Sequence, residues 1–201
     1  MISTYTNNYS QYFQDQMERF QSFEGDLYLE GIQKTVDYVF PDKKYKGKCL
    51  DVCSGDGSTS RCLRDKGFDV IGYDGNPQKV FKAVNEVKDV TFFCDDIRHM
   101  KLYFLGDRFD LIYASHAFEH FLDPLTILKD CKQLLTPKGV IVLILPYPNV
   151  ESEGHPGSGL LKLDGTLAEV MLNLQMELEF RDVQIEKVNI REPEIIVKLS
   201  E

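Results

Sequence analysis

Apolar and polar positions alternate along this chain in two regimes. Tyr9, Tyr12, Phe13, Gln16, Met17, Phe20 and Phe23 recur at i, i+3 and i+4 intervals, which places the aromatics on one face of a helix. Gly25 can end that helix, and a second is expected from Asp26 to Val39, with Pro41 beyond it. From Lys48 the pattern changes to short apolar stretches separated by helix-length amphipathic segments. The strand-like stretches are Cys49 to Cys53, Phe68 to Tyr73, Thr91 to Cys94, Phe109 to Ser115 and Val140 to Pro146. Strands alternating with helices predict a parallel sheet with helices on both faces.

The helix boundaries are written in capping residues. One helix follows Gly57 and stops at Gly67; another starts at Asn76-Pro77, an N-cap followed by proline in the first helical position. A third starts at Asp123-Pro124 by the same logic and runs to Leu135, and Thr136-Pro137-Lys138-Gly139 reads as a turn into the next strand. The stretch PYPNVESEGHPGSG, after the strand ending at Pro146, reads as a loop at a strand end, where open α/β sheets place ligands. A helix is expected around residues 165 to 174. Val183 to Ile190 and Glu194 to Leu199, split by Glu192-Pro193, then predict a hairpin that ends the sheet with an antiparallel strand. No repeat, low-complexity stretch or Gly/Ser linker divides the chain. We therefore read residues 1–201 as one α/β domain, with a helical cover over 1–46 and a doubly wound core over 47–201.

Composition narrows the function classes. A length of 201 residues suits one domain, and 43% hydrophobic with 27% charged residues excludes a disordered, collagen-like or coiled-coil chain. The 32 acidic residues outweigh 23 basic ones, a net charge of −9, which argues against a large nucleic-acid surface. The longest apolar run, Val140 to Leu145, suits a buried strand and is too short for a membrane helix. The polar, aromatic start MISTYTNNYSQYF has no basic region followed by an apolar one, so a cytoplasmic location is expected. Cys49, Cys53, Cys62, Cys94 and Cys131 are odd in number and lack zinc-finger spacing; reduced, buried thiols are expected.

The chemistry concentrates in Cys49 to Ser60, CLDVCSGDGSTS. An apolar strand delivers the chain into Gly55-x-Gly57, which opens a helix and lets a ligand approach the backbone closely. Asp51 and Asp56 beside those glycines oppose a pyrophosphate and suit a cationic ligand. Asp74, at the end of VIGYD, is placed to accept hydrogen bonds from two ribose hydroxyls. Asp95 and Asp96 end the third strand, where a carboxylate can meet an adenine amino group. A nicotinamide dehydrogenase is disfavoured, because the third glycine of that fingerprint is missing and acids crowd the turn.

The runs LDVCSGDGSTS, VIGYD, DDIR, FDLIYASHAFEHF and LLTPKGVIVLILP resemble, in order and spacing, the class I S-adenosylmethionine-dependent methyltransferases over about Lys48 to Pro146. The resemblance is to the large group with a Glu-His pair after the fourth strand. It implies a Rossmann-like, seven-stranded, mostly parallel sheet with an antiparallel last strand, and S-adenosyl-L-methionine as cofactor. It also implies that Asp51, Cys53, Gly55 and Gly57 line the methionine part, Asp74 the ribose, and Asp96 with Ile97 the adenine, Asp95 being the rival. Ser115 and His116 would lie beside the transferable methyl. Cys53 departs from the family, which most often has glycine there. A small-molecule acceptor, oxygen rather than nitrogen, is expected of a monomer or homodimer; RNA or protein methylation and a catalytically silent cofactor-binding protein are the alternatives.

His116, Glu119 and His120 spell HAFEH, the H-x-x-E-H pattern of some zinc proteases. That reading fails because the run follows a parallel strand of a nucleotide fold, and the family explains Glu119 and His120 as packing residues at a helix start. If a helix began near His116, the three side chains would share a face, with His155 on a neighbouring loop. Two chemistries are open there. His116 and His155 could act as general bases, or His116, Glu119, His120 and His155 could hold a divalent ion, as similar residues do in small-RNA 2′-O-methyltransferases and some quinone-pathway O-methyltransferases; the ion is the less favoured of the two. His99 has no expected role. The N-terminal aromatic stripe is expected to pack on the sheet; a lid over the acceptor is the second reading, and the two are compatible.

Overall fold

Alternate residues of the central strands serve two different cores, which is why those strands read as unbroken apolar runs. In the strand Phe109–Ser115, Ile112 and Ala114 face one side while Leu111 and Tyr113 face the other. In the next strand, Ile141, Leu143 and Leu145 oppose Val142 and Ile144 in the same way. The computed structural model describes residues 26–42, 44–147, 175–176 and 178–200. The stripe at residues 9–23, the helix expected at 165–174 and His155 lie outside the described residues.

The elements in chain order are α1 (Asp26–Val39), β1 (Lys48–Val52), α2 (Ser58–Asp65), β2 (Asp69–Asp74), α3 (Pro77–Glu86) and β3 (Thr91–Cys94). A 3-10 turn (Ile97–His99) then leads into α4 (Met100–Tyr103) and β4 (Phe109–Ser115). A second 3-10 turn (Phe118–His120), α5 (Pro124–Gln133), β5 (Leu135–Pro146), β6 (Asp182–Asn189) and β7 (Pro193–Ser200) follow. The sheet has seven strands in the order β3-β2-β1-β4-β5-β7-β6. The pairings among β1 to β5 are parallel, and β7 runs antiparallel to both β5 and β6. This is the doubly wound architecture expected. Its winding reverses between β1 and β4, so the crevice at the carboxyl ends of those strands is the expected ligand position.

The predicted caps are present. Asn76 Oδ1 accepts from the backbone N–H of Gln78 and Lys79 at 3.0 and 3.2 Å, and Asp123 Oδ1 accepts from Thr126 N–H at 3.1 Å. Helix α1 buries Ile32, Val36 and Val39 against the core that contains Cys49, Leu63, Tyr113 and Ile144; α5 buries Ile127, Leu128 and Cys131 in the other. No described helix is long and apolar enough to cross a membrane.

Three expectations need correction. Thr136 to Gly139 does not leave the sheet as a turn: β5 starts at Leu135, and a register shift between Phe109 and Leu111 absorbs the extra residues as a bulge. The five thiols are free, but Cys94 is exposed and Cys53 partly exposed, since both sit at strand ends. No α-helix begins near His116. His116 takes a left-handed φ of 50°, only the short turn Phe118–His120 follows, and α5 starts at Pro124.

Candidate cofactor-binding and active site

The β1–α2 connection is a cradle built from left-handed backbone: Cys53, Gly55 and Gly57 have φ of 59°, 55° and 81°. Tyr73 C=O and Ser54 C=O pin it by accepting from Ser54 N–H (3.1 Å) and Gly57 N–H (3.0 Å). A side chain on Gly57 would meet Phe92 Cζ at 2.8 Å, Val87 Cγ2 at 2.9 Å and Ala83 Cβ at 3.1 Å, so glycine here allows α2 to pack close to α3 and β3. Above Gly55 the space is open, with Lys79 Cδ at 3.9 Å the first atom a Cβ would meet. The φ of Cys53 explains the glycine usual at that position in the family, and its thiol packs at the margin of one core.

Five acids in the cradle and at the ends of β1, β2 and β3 are in different states. Asp51 is buried at 1% exposure and accepts from Ser60 Oγ–H at 2.6 Å. Burial pushes its pKa up to about 7, against the pull of the Ser60 bond. Asp51 therefore braces α2 against β1 from beneath the loop. Asp74 accepts from Gly55 N–H through Oδ2 (2.8 Å) and from Asn76 N–H through Oδ1 (2.7 Å), tying the cradle to the end of β2. Burial raises the Asp74 pKa despite these two bonds and nearby Lys79. Asp56 is also penalised by burial, but hydrogen bonds from Ser58 and the charge of Lys82 outweigh this and lower its pKa. Asp96 caps the Ile97–His99 turn through Arg98 N–H (2.9 Å) and pairs with the Arg98 guanidinium at 2.9 and 2.6 Å. Asp95 accepts from Tyr103 Oη–H at 2.8 Å and from Asp96 N–H at 2.7 Å, and its Oδ1 lies 3.2 Å from His99 Nδ1. Both acids are thus anchored locally, and Ile97 is buried beneath them.

Ser115 ends β4, and His116 N–H continues the sheet by donating to Ile144 C=O at 2.8 Å. His116 Nε2 lies 2.9 Å from Glu194 Oε1, and its Nδ1 lies 3.7 Å from Glu119 Oε1 and 3.8 Å from Glu192 Oε1. Arg191 donates to the same Glu194 oxygen through Nε (3.2 Å) and Nη2 (2.8 Å). Burial pushes Glu194 up, but the His116 bond and the Arg191 charge outweigh it and lower its pKa. Glu119 is 1% exposed, and burial pushes its pKa up to about 8. Its Oε2, like Glu194 Oε2, has no hydrogen-bond partner among the described residues.

The structure therefore gathers part of the expected cluster. His116 and Glu119 are neighbours, and His120 Nε2 lies 3.8 Å from Glu119 Oε1. Among the described residues, the group compact enough for an ion is instead His116 with Glu192 and Glu194, whose ligand atoms lie within 4.8 Å of one another. The Arg191 guanidinium already supplies positive charge at the shared Glu194 oxygen. Arg191, Glu192 and Glu194 were missed because only the β5–β7 pairing brings them to His116. The available signal was the charged run Arg191-Glu192-Pro193-Glu194 at a hairpin turn, leading into apolar Ile195 to Val197.

Residues 20–185 match the family model of the methyltransferase domain. The demethylmenaquinone methyltransferase of Thermotoga maritima is 32% identical over 142 residues, 68% of this chain and 58% of that protein. A ubiquinone biosynthesis O-methyltransferase of Cereibacter sphaeroides is 33% identical over 97 residues, 47% of this chain and 39% of that protein. The chain thus spans about half the length of these curated relatives. Among solved structures, a SAM-dependent methyltransferase from Archaeoglobus fulgidus superposes with a TM-score of 0.69 at 16% identity, covering 86% of this chain and 94% of that one. The plantazolicin methyltransferase BpumL, solved with SAH, gives 0.60 at 15% identity, covering 94% and 89%. The matched domain, the strand order with its antiparallel β7 and the glycine cradle at the end of β1 agree: the chain belongs to the class I S-adenosylmethionine-dependent methyltransferases.

Proposed function

We propose that this chain methylates a hydroxyl group of a small molecule, with S-adenosyl-L-methionine bound over the cradle. The residues fit that cofactor. Open space lies above left-handed Gly55, and the neighbouring Asp56, whose pKa is lowered, supplies negative charge for a cationic ligand. In this reading Asp51, Cys53, Gly55 and Gly57 form the methionine end, Asp74 accepts from the ribose hydroxyls, and Asp96 with Ile97 meets adenine. The cofactor, when bound, supplies an electrophilic methyl whose transfer is an in-line displacement. The chain's own work is to align the acceptor, exclude water and remove the hydroxyl proton.

One observation carries the oxygen reading. His116 stands at the end of β4, beside the crevice, with Nε2 engaged by Glu194 and Nδ1 beyond hydrogen-bond distance of either neighbouring acid. In this reading Nδ1 is the atom that takes the proton as the acceptor oxygen forms its bond to the methyl carbon. The quinone-pathway names of the relatives make a quinol-type ring hydroxyl the first acceptor to test. The test is transfer of an isotopically labelled methyl group to matched phenolic, amine and ring-carbon acceptors, read by mass spectrometry. A labelled ether as main product supports the proposal, and exclusive labelling of nitrogen or carbon sinks it.

A further inference from the structure

The hydrogen-bond network behind His116 leads out of the crevice to two other elements. Glu194 lies on β7 opposite Pro146, and Ile196, two residues on, pairs with Ile144, whose carbonyl accepts the His116 N–H. Glu194 is therefore fixed by the β5–β7 register, and His116, one residue beyond the end of β4, is tied to the same sheet through its N–H. The fully buried Glu194 offers Oε1 to His116 Nε2 and to both Arg191 contacts. Arg191 is in turn held by α1. The Tyr28 ring lies 5.7 Å from its guanidinium carbon, and Gly31 leaves its stem room, since a Cβ there would stand 2.7 Å from Arg191 Cγ.

We propose that Glu194 is a positioning residue for His116, selecting the tautomer that leaves Nδ1 as the proton acceptor, and that Arg191 locks Glu194 in that role. The inference rests on the reading of His116 as the base. An ionised carboxylate only accepts hydrogen bonds, so Nε2 of the neutral ring carries the proton and Nδ1 the lone pair. When the acceptor hydroxyl gives its proton to Nδ1, Glu194 faces the resulting imidazolium at 2.9 Å and stabilises it. Water later takes that proton and restores the neutral ring. The charged and titratable groups around the ring are Glu119 and His120 from the Phe118–His120 turn, and Arg191, Glu192 and Glu194 from the hairpin.

The test is nitrogen NMR of the full chain labelled at histidine, with His116 assigned by loss of its signals in His116→Asn. Asparagine tolerates the left-handed backbone of that position better than alanine. Wild type should show the Nε2-protonated tautomer at high pH. Glu194→Gln, nearly isosteric, should keep that tautomer through its amide oxygen while leaving the imidazolium without its counter-charge. Glu194→Ala should lose the tautomer preference as well. Both variants should lower kcat about tenfold or more and leave cofactor affinity within about twofold. An Nδ1-protonated wild-type ring, which needs no variant to observe, overturns the proposal, as does an unchanged kcat in folded Glu194→Gln. If His116→Asn turns over at the wild-type rate, the base reading fails and the catalytic role of Glu194 with it, even where NMR shows the pairing.

Discussion

Replacing Asp74 by alanine separates two functions of one carboxylate. In the free protein Asp74 holds the Gly55 and Asn76 N–H groups, and bonds of this charged type are worth about 1.5–3 kcal/mol each. Its raised pKa shows that burial takes back part of that gain. At the rim of a crevice water can also reach the freed N–H groups. The expected stability loss without ligand is therefore only about 1–2 kcal/mol. The loss in cofactor binding is separate: on the proposed placement of Asp74, two hydrogen bonds to the ribose disappear, roughly 2–4 kcal/mol after water replacement. At about 1.4 kcal/mol per decade this is roughly a 30- to 1,000-fold weaker Kd. Cofactor at 100 times the wild-type Kd stabilises wild type by about 2.7 kcal/mol and the variant by less than about 1 kcal/mol. Urea unfolding with and without S-adenosylhomocysteine reads both numbers. Equal ligand stabilisation of wild type and variant would refute the placement of Asp74 on the ribose.

Three further outcomes are expected. The native state keeps protons on Asp51 up to about pH 7 and on Glu119 up to about pH 8, while the unfolded chain releases them near pH 4. These two groups therefore stabilise the fold fully at low pH and lose that contribution as pH rises towards 8; in Glu119→Gln the decline should be smaller, by on the order of a few kcal/mol, in urea unfolding across pH 5 to 8. A parallel decline in both proteins would contradict the buried-acid account. Gly57→Ala should cost about 3 kcal/mol, since strain at φ 81° adds to the overlap with Phe92 and Val87, whereas Gly106→Ala, at φ 89° with open space around it, should cost about 1–2 kcal/mol of strain alone; equal losses in chemical denaturation would remove the packing argument. His116→Asn should reduce turnover about 100-fold or more while calorimetry finds cofactor affinity unchanged, and coincident loss of both would make His116 a cofactor contact instead of a base.

What was legible in the sequence was local. Asn76-Pro77 and Asp123-Pro124 declared their helices because a cap acts within three residues, and the alternation of apolar runs declared the parallel sheet. The cradle was legible because close backbone approach leaves few options besides glycine. The start of β5 was not, because a bulge opposite Phe109 and Leu111 keeps Thr136 to Gly139 in the sheet against their turn-forming character. HAFEH was misjudged by assuming helical phase. One left-handed residue, His116, breaks that phase and turns its ring towards β7. Glu194 and Arg191 were invisible because their place depends on β7 inserting between β5 and β6, a pairing with partners some fifty residues apart in sequence at the site.

Isothermal titration of the purified chain with S-adenosylmethionine, S-adenosylhomocysteine and NAD tests the central claim most directly. The account predicts saturable binding of both sulfur nucleosides at one site per chain, abolished or severely weakened in Asp74→Ala, and no binding of NAD. Tight NAD binding with no heat from either sulfur nucleoside would contradict it.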